Sequence, residues 1–192
     1  MSSHFKKIME WMIIFSSFIF TTNAFQPAIS NLNTNGYQFQ PVNSIELLTT
    51  SYNIRTIAQC AILCYANGLC RTYDYDSNSQ QCRLFEASFD IGTLQSTSVS
   101  TNIVGWFDMD PSLFSLYNAP ASQCSDNRYL YSNTISNLCE CLVHTFWNNS
   151  MCINQRFAGE TCANQNWCRN DLLIYCVSNI CISKLYLLPH LA

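Results

Sequence analysis

Apolar residues follow three different rhythms along this chain of 192 residues. The first is a block, Trp11-Met12-Ile13-Ile14-Phe15-Ser16-Ser17-Phe18-Ile19-Phe20, set behind Lys6-Lys7 and ahead of Thr22-Asn23-Ala24. A basic start, an apolar stretch of about ten residues and a small residue before the cut form the pattern of a secretory signal. The block falls short of the roughly 20 apolar residues that a membrane-crossing helix needs. Residues 1–24 are therefore read as a signal peptide, with an uncleaved anchor as the alternative, and fold reasoning starts at Phe25.

The second rhythm is helical. Ile57, Cys60, Ala61 and Cys64 recur at i, i+3, i+4 and i+7, which places them on one stripe. Thr56 and Gln59 fit a capping box at the start, and Asn67-Gly68 supplies a left-handed stop, so a helix is expected over 57–66. The third rhythm has period two. Tyr73 and Tyr75 fall on one face of a strand and Thr72, Asp74 and Asp76 on the other, the arrangement of a half-buried strand with its polar face to solvent. Asp76-Ser77-Asn78-Ser79 is a turn cluster, and Cys82-Arg83-Leu84-Phe85 returns as the partner strand. Two cysteines one helical turn apart, followed by two on extended segments, make a helix stapled to a hairpin.

Around this centre, 25–36 reads as a flexible start, 37–42 as a first strand and 45–48 as a second. Residues 88–102 read as a loop and 103–107 as a last strand. Residues 108–123, with Pro111 and Pro120, read as a linker.

Cysteine changes the picture. All twelve lie after the signal, at 60, 64, 70, 82, 124, 139, 141, 152, 162, 168, 176 and 181. An even count in a secreted chain reads as six disulfides with no thiol left over. The alternative is zinc at Cys139-Glu140-Cys141, although paired zinc cysteines usually stand two to four residues apart and in a reducing compartment. Eight cysteines fall within the 58 residues 124–181. That segment is too poor in hydrophobic residues for a core of its own, so bridges must stabilise it, and eight cysteines permit 105 connectivities.

The run Cys70-Arg71-Thr72-Tyr73-Asp74-Tyr75-Asp76, the two helical cysteines before it and Cys82-Arg83-Leu84 after it resemble the core of the PAN/apple domain family of extracellular binding modules. The resemblance covers about 37–107. It implies an α+β fold, a twisted antiparallel sheet with one disulfide-stapled helix, in a domain spanning 25–107. It also implies nested pairing, Cys60 with Cys82 and Cys64 with Cys70, the larger loop constraining the unfolded chain by about 3 kcal/mol. No cysteine is placed to form the outer bridge of apple domains, so the simpler PAN variant is implied. Cys139-x-Cys141 followed by Cys152 is similar to the second half of an EGF-like module, implying Cys141 with Cys152 and Cys139 with Cys124. Cys162, Cys168, Cys176 and Cys181 resemble the cysteine-rich repeats of the EB type, taken here with crossed pairing, Cys162 with Cys176 and Cys168 with Cys181. The expected second module is thus a small, loop-rich, disulfide-rich unit at 124–181, with a tail at 182–192.

Charge and motifs narrow the function. Without the signal, Lys184 and six arginines stand against eleven acidic residues, 7 minus 11, a net charge of −4. No basic stripe exists to hold nucleic acid or an anionic membrane. No nucleophile elbow, zinc-protease motif, phosphate-binding loop or dinucleotide fingerprint occurs, and only His144 and His190 remain after the signal, so an enzyme, a cofactor or a metal is not expected. The pairs Asp74/Asp76 and Asp108/Asp110 lack the ligand spacing of a calcium loop. Asn148-Asn149-Ser150 is an N-glycosylation acceptor. The PAN resemblance implies an extracellular glycan or glycoprotein as partner, and Arg71, Thr72, Asp74, Asp76 and Arg83 are the polar candidates for contact. The rival is a small secreted effector, a protease inhibitor or defence polypeptide, acting through the cysteine-rich half.

Overall fold

The computed structural model describes residues 30–33, 35–98 and 101–184. The signal-like segment with its cut before Phe25, and the tail from 185 onward, lie outside the described residues.

The first half contains seven strands and one helix: β1 (Ser30–Leu32), β2 (Tyr37–Gln40), β3 (Leu47–Ser51), α1 (Ile57–Ala66), β4 (Thr72–Asp76), β5 (Gln81–Phe85), β6 (Thr93–Ser96) and β7 (Asn102–Phe107). Five of the strands form an antiparallel sheet in the order β1-β7-β4-β5-β3, and β2 pairs with β6 as a second small sheet. This is the α+β architecture expected from the sequence. Three segments differ from expectation. Residues 30–32, expected to be flexible, form an edge strand on β7. Residues 45–48 are not one strand but the end of a 3-10 turn (Ser44–Glu46) followed by β3. The loop expected after residue 88 contains β6.

Helix α1 covers the expected residues, but its ends are built differently. The Thr56 hydroxyl accepts the Gln59 amide at 3.2 Å, while the Gln59 side chain accepts from the amide of Arg55, one residue earlier than a capping box would use. The stop is not left-handed: Asn67 has φ −92°, and Gly68 has no positive φ. Instead the Asn67 amide bonds back to Leu63 and Cys64, and its side-chain oxygen accepts from Leu69 at 3.0 Å. The buried cysteines of the helix are joined to the sheet side by Cys60–Cys82 and Cys64–Cys70. With Tyr73, Tyr75, Leu84 and Phe107 they form the first core.

Strand β4 lies in the middle of its sheet, so its alternation serves two cores rather than a core and solvent. Tyr73 and Tyr75 face the helix. The other face meets β2 and β6, where Phe39, Phe85, Ala87 and Val104 make a second core. Thr72 and Asp74, expected to point to solvent, are therefore buried.

The second half is three hairpins: β8 (Leu130–Asn133) with β9 (Leu138–Cys141), β10 (Thr145–Trp147) with β11 (Cys152–Asn154), and β12 (Ile174–Val177) with β13 (Ile180–Ser183). Four bridges hold them: Cys124–Cys139, Cys141–Cys152, Cys162–Cys176 and Cys168–Cys181. Residues 108–123 are not a free spacer. Pro111 begins a 3-10 turn (Pro111–Phe114), because a proline's fixed φ suits the first turn position, and Pro120 caps a second (Ala121–Gln123). Phe114 then packs at 1% exposure against Tyr129 and Trp147, with Cys124 and Leu130 completing that core.

Gly105 stands opposite Tyr73 in the β4–β7 ladder, and a β-carbon there would overlap the tyrosine ring. Gly105→Ala should therefore cost about 1–3 kcal/mol through overpacking. Gly68→Ala, whose nearest neighbour would stand at 3.9 Å, should stay within about 0.5 kcal/mol. Thermal unfolding of the two variants checks this, and equal melting temperatures would contradict the packing described.

Candidate functional site

The five polar residues picked from the sequence are brought together, but as structure rather than surface. Asp74 accepts the Phe39 amide at 3.1 Å and the Arg83 Nε at 2.8 Å, and a second Arg83 nitrogen closes the pair. One carboxylate thus ties β2 to the central sheet. Burial pushes the Asp74 carboxyl above its ordinary range, against the pull of Arg83. Arg71 is 2% exposed. It donates to the Gly68 carbonyl at 2.7 Å and lies 5.2 Å from the centre of the Tyr129 ring, and burial lowers its guanidinium to about 10. Thr72 has no exposed surface. Asp76 is half-buried and locks its turn by accepting from Asn78, Ser79 and Thr101. Of the five, only Asp76 and Arg83 keep partial access. The outward face assumed for β4 is occupied by the β2–β6 layer, and Tyr129 of the second half covers Arg71.

The two halves are joined by charged side chains that sequence patterning could not place. Arg128 donates to the carbonyls of Cys64, Tyr65 and Cys70 and lies about 5 Å from the Tyr65 and Phe107 rings. A cation here meets the Cys64 and Tyr65 carbonyls in the last turn of α1, where the helix dipole is negative, and the Cys70 carbonyl just beyond it. At the other junction, Glu86 takes His144 Nδ1 at 2.8 Å and Arg169 at 3.7 Å, while Arg169 also pairs with Asp171 at 2.8 Å. Asp171 faces the second His144 nitrogen at 3.3 Å, and Asn154 donates to the Glu86 carbonyl. His144, the one described histidine after the signal, is thus a bracket between the halves. Glu46 lies behind Glu86, receives the Asn43 amide at 3.1 Å and is 1% exposed. Burial, aided by the charge of Glu86, raises its carboxyl to about 7.

Two clefts of about 420 Å³ each open on this frame, within the range of about 300–1,000 Å³ of small-molecule sites. One runs along the junction of the halves and is lined by Val42, Ile91, Met109, Met151 and Phe157, with Asp90 and Glu160 among its polar groups. The other lies within the second half, between Tyr117, β10 and the 3-10 turn Gln165–Trp167, and its wall is mainly polar. Asn148 stands beside Trp147, with its side-chain oxygen accepting from Ser150 and Met151, and the sequon residues Asn149 and Ser150 are exposed. The sulfurs of Cys162, Cys168 and Cys181 lie within 4.8 Å of one another, but each belongs to a disulfide, which leaves no thiolate to ligate a metal.

Residues 33–105 match the family model of the PAN domain. The match spans the stapled helix, β3, β4, β5, most of β7 and the β2–β6 layer, begins after β1, and ends before the cysteine-rich half. No curated protein matches the chain.

The raised Glu46 carboxyl carries a pH signature. Its ordinary value is 4.5 and its folded value about 7, so between these the folded chain holds a proton that the unfolded chain releases. Stability must then fall as pH rises from about 4.5 to about 7. Glu46→Gln, which keeps an acceptor for the Asn43 amide, should remove this part of the fall. Its melting temperature relative to the parent should climb across that window, and a constant difference would contradict the burial of Glu46 as an acid.

Proposed function

We propose that this chain is a secreted, non-enzymatic recognition protein that binds extracellular glycans or glycoproteins, with the PAN module as the centre of a two-part rigid unit. The observation that carries the reading is the PAN match over 33–105, since PAN domains are modules for binding protein or carbohydrate. Six disulfides with no free cysteine among the described residues fit an oxidising compartment. Among those residues no helix is long and apolar enough to cross a membrane. Asn148 is the proposed site of an N-linked glycan, which would keep the β10–β11 turn in water.

Because the polar groups of β4 are consumed internally, the ligand is met by loops and clefts of the whole chain rather than by the face of the sheet. The cysteine-rich half thus belongs to the recognition unit. The test uses the full secreted chain, tetramerised to add avidity, on arrays of glycans and of extracellular glycoproteins before and after enzymatic deglycosylation. Binding to a defined glycan or glycoprotein set, weak as a monomer and strong as a tetramer, is expected. Absence of binding to either array, together with stoichiometric inhibition of a protease, would replace this reading with that of a secreted inhibitor.

A further inference from the structure

The cleft in the second half has the make-up of a sugar site. Two parallel aromatic pairs flank it: Tyr117 and Trp147, with ring centres 4.0 Å apart and planes 7° from parallel, and Phe146 and Trp167, at 4.7 Å and 23°. Phe146 is buried at 4% exposure, and the Arg156 guanidinium lies 4.8 Å from the Trp167 ring centre, so Trp167 is held as a wall of the cleft by both. The lining also carries the exposed Asn118, Asn164 and Asn166, with the Asn164 side-chain oxygen accepting from the Asn166 amide at 3.0 Å while its NH2 group remains a donor. All are on short covalently pinned segments: Cys124–Cys139 holds the strand against which Asn118 bonds by its amide, at 2.9 Å to Cys139, and Cys162 and Cys168 bracket the Asn164–Asn166 turn.

Charge decides the ligand class. No lysine, arginine or histidine is in the lining itself; the nearest guanidinium, Arg156, lies 4.8 Å from the centre of the Trp167 ring and donates to Thr161, and the one acid, Glu140, accepts from Tyr131 at 2.9 Å, Asn133 at 2.8 Å and Ser136 at 2.5 Å. A sulfated or phosphorylated ligand would find its only nearby cation, Arg156, already stacked on Trp167 and bonded to Thr161, and a cation would find a carboxylate with three of its roughly four lone-pair sites taken. An apolar peptide segment would face a mainly polar wall. A neutral sugar suits both parts of the lining: its C–H faces lie against aromatic rings, and its hydroxyls pair with amides that both donate and accept.

We propose that the cleft bounded by Tyr117, Trp147 and Trp167 binds a neutral saccharide, with Asn118, Asn164 and Asn166 holding its hydroxyls. The proposal rests on the recognition role above and gives that role a site outside the PAN module. It also explains why the second half is fixed so firmly to the first: a cleft built from turns holds its shape only if the frame does.

The test uses the full secreted chain carrying Ser150→Ala, which removes the neighbouring sequon so that the chain's own glycan cannot compete. Tetramers of this chain are read on an array of neutral hexose and N-acetylhexosamine oligosaccharides beside sulfated ones, and hits are titrated by tryptophan fluorescence. Asn118→Gly combined with Asn166→Ala removes two amides, and glycine accepts the φ of 63° at position 118. This variant should keep its melting temperature and weaken binding of the neutral hits about tenfold or more, and the parent should show a saturable change in tryptophan emission. Glycan binding unchanged by the variant would overturn the cleft site while leaving the recognition role intact. Preference for sulfated glycans, or glycoprotein binding that survives deglycosylation, would overturn the neutral saccharide. Binding to none of these oligosaccharides would overturn the cleft site, and the wider reading would then stand or fall on the glycoprotein array.

Discussion

The guanidinium of Arg128 is the contact on which the arrangement of this chain depends. A helix of ten residues ends with carbonyls that need partners, and α1 cannot close itself with a left-handed residue because Asn67 and Gly68 do not adopt one. The second half supplies the missing donor. Arg128 reaches three carbonyls, and its planar face lies against Tyr65, Phe107 and Tyr129. Placing this cation out of water is costly: its two terminal nitrogens find carbonyls while its buried Nε has no hydrogen-bond partner among the described residues, and burial lowers its pKa. The same group therefore satisfies the helix and fixes the second half on the first.

Covalent and ionic fastening divide the work. Within each half, bridges join elements that are close in sequence: separations run from 6 to 22 residues, and no disulfide crosses between the halves. Across the junction, Arg128, the Glu86–His144–Arg169–Asp171 cluster and Asn154 make the contact. Such a frame holds loops and clefts at fixed positions, so that little ordering would remain to be done on binding a ligand.

Local patterns in the sequence were legible where one physical cause acted alone. The stripe of Ile57, Cys60, Ala61 and Cys64 places α1 because the helical period and the bridges to Cys70 and Cys82 agree. The Tyr73/Tyr75 alternation finds β4 but misreads its other face, since a two-residue period cannot tell solvent from a second layer. Here that layer is β2 and β6, drawn in by Phe39 and the Asp74 carboxylate. Pro111 and Pro120 read as linker for a similar reason: prolines that break long helices also start 3-10 turns, and only Phe114 at the core shows which has happened. The aromatic cleft was hidden because Tyr117, Trp147 and Trp167 are separated by loops whose return paths depend on disulfide connectivity. The one available signal was two tryptophans in a segment otherwise poor in hydrophobic residues.

The central claim is that the two halves form one structural unit through Arg128, so calorimetry of the full chain with its disulfides intact tests it most directly. The account predicts a single cooperative transition for the parent. Arg128→Met keeps the length of the side chain but removes the donor to the Tyr65 carbonyl and one of the donors to the Cys64 and Cys70 carbonyls, and it should move that whole transition down by several degrees. Two separate transitions in the parent, or an Arg128→Met profile indistinguishable from it, would contradict the claim.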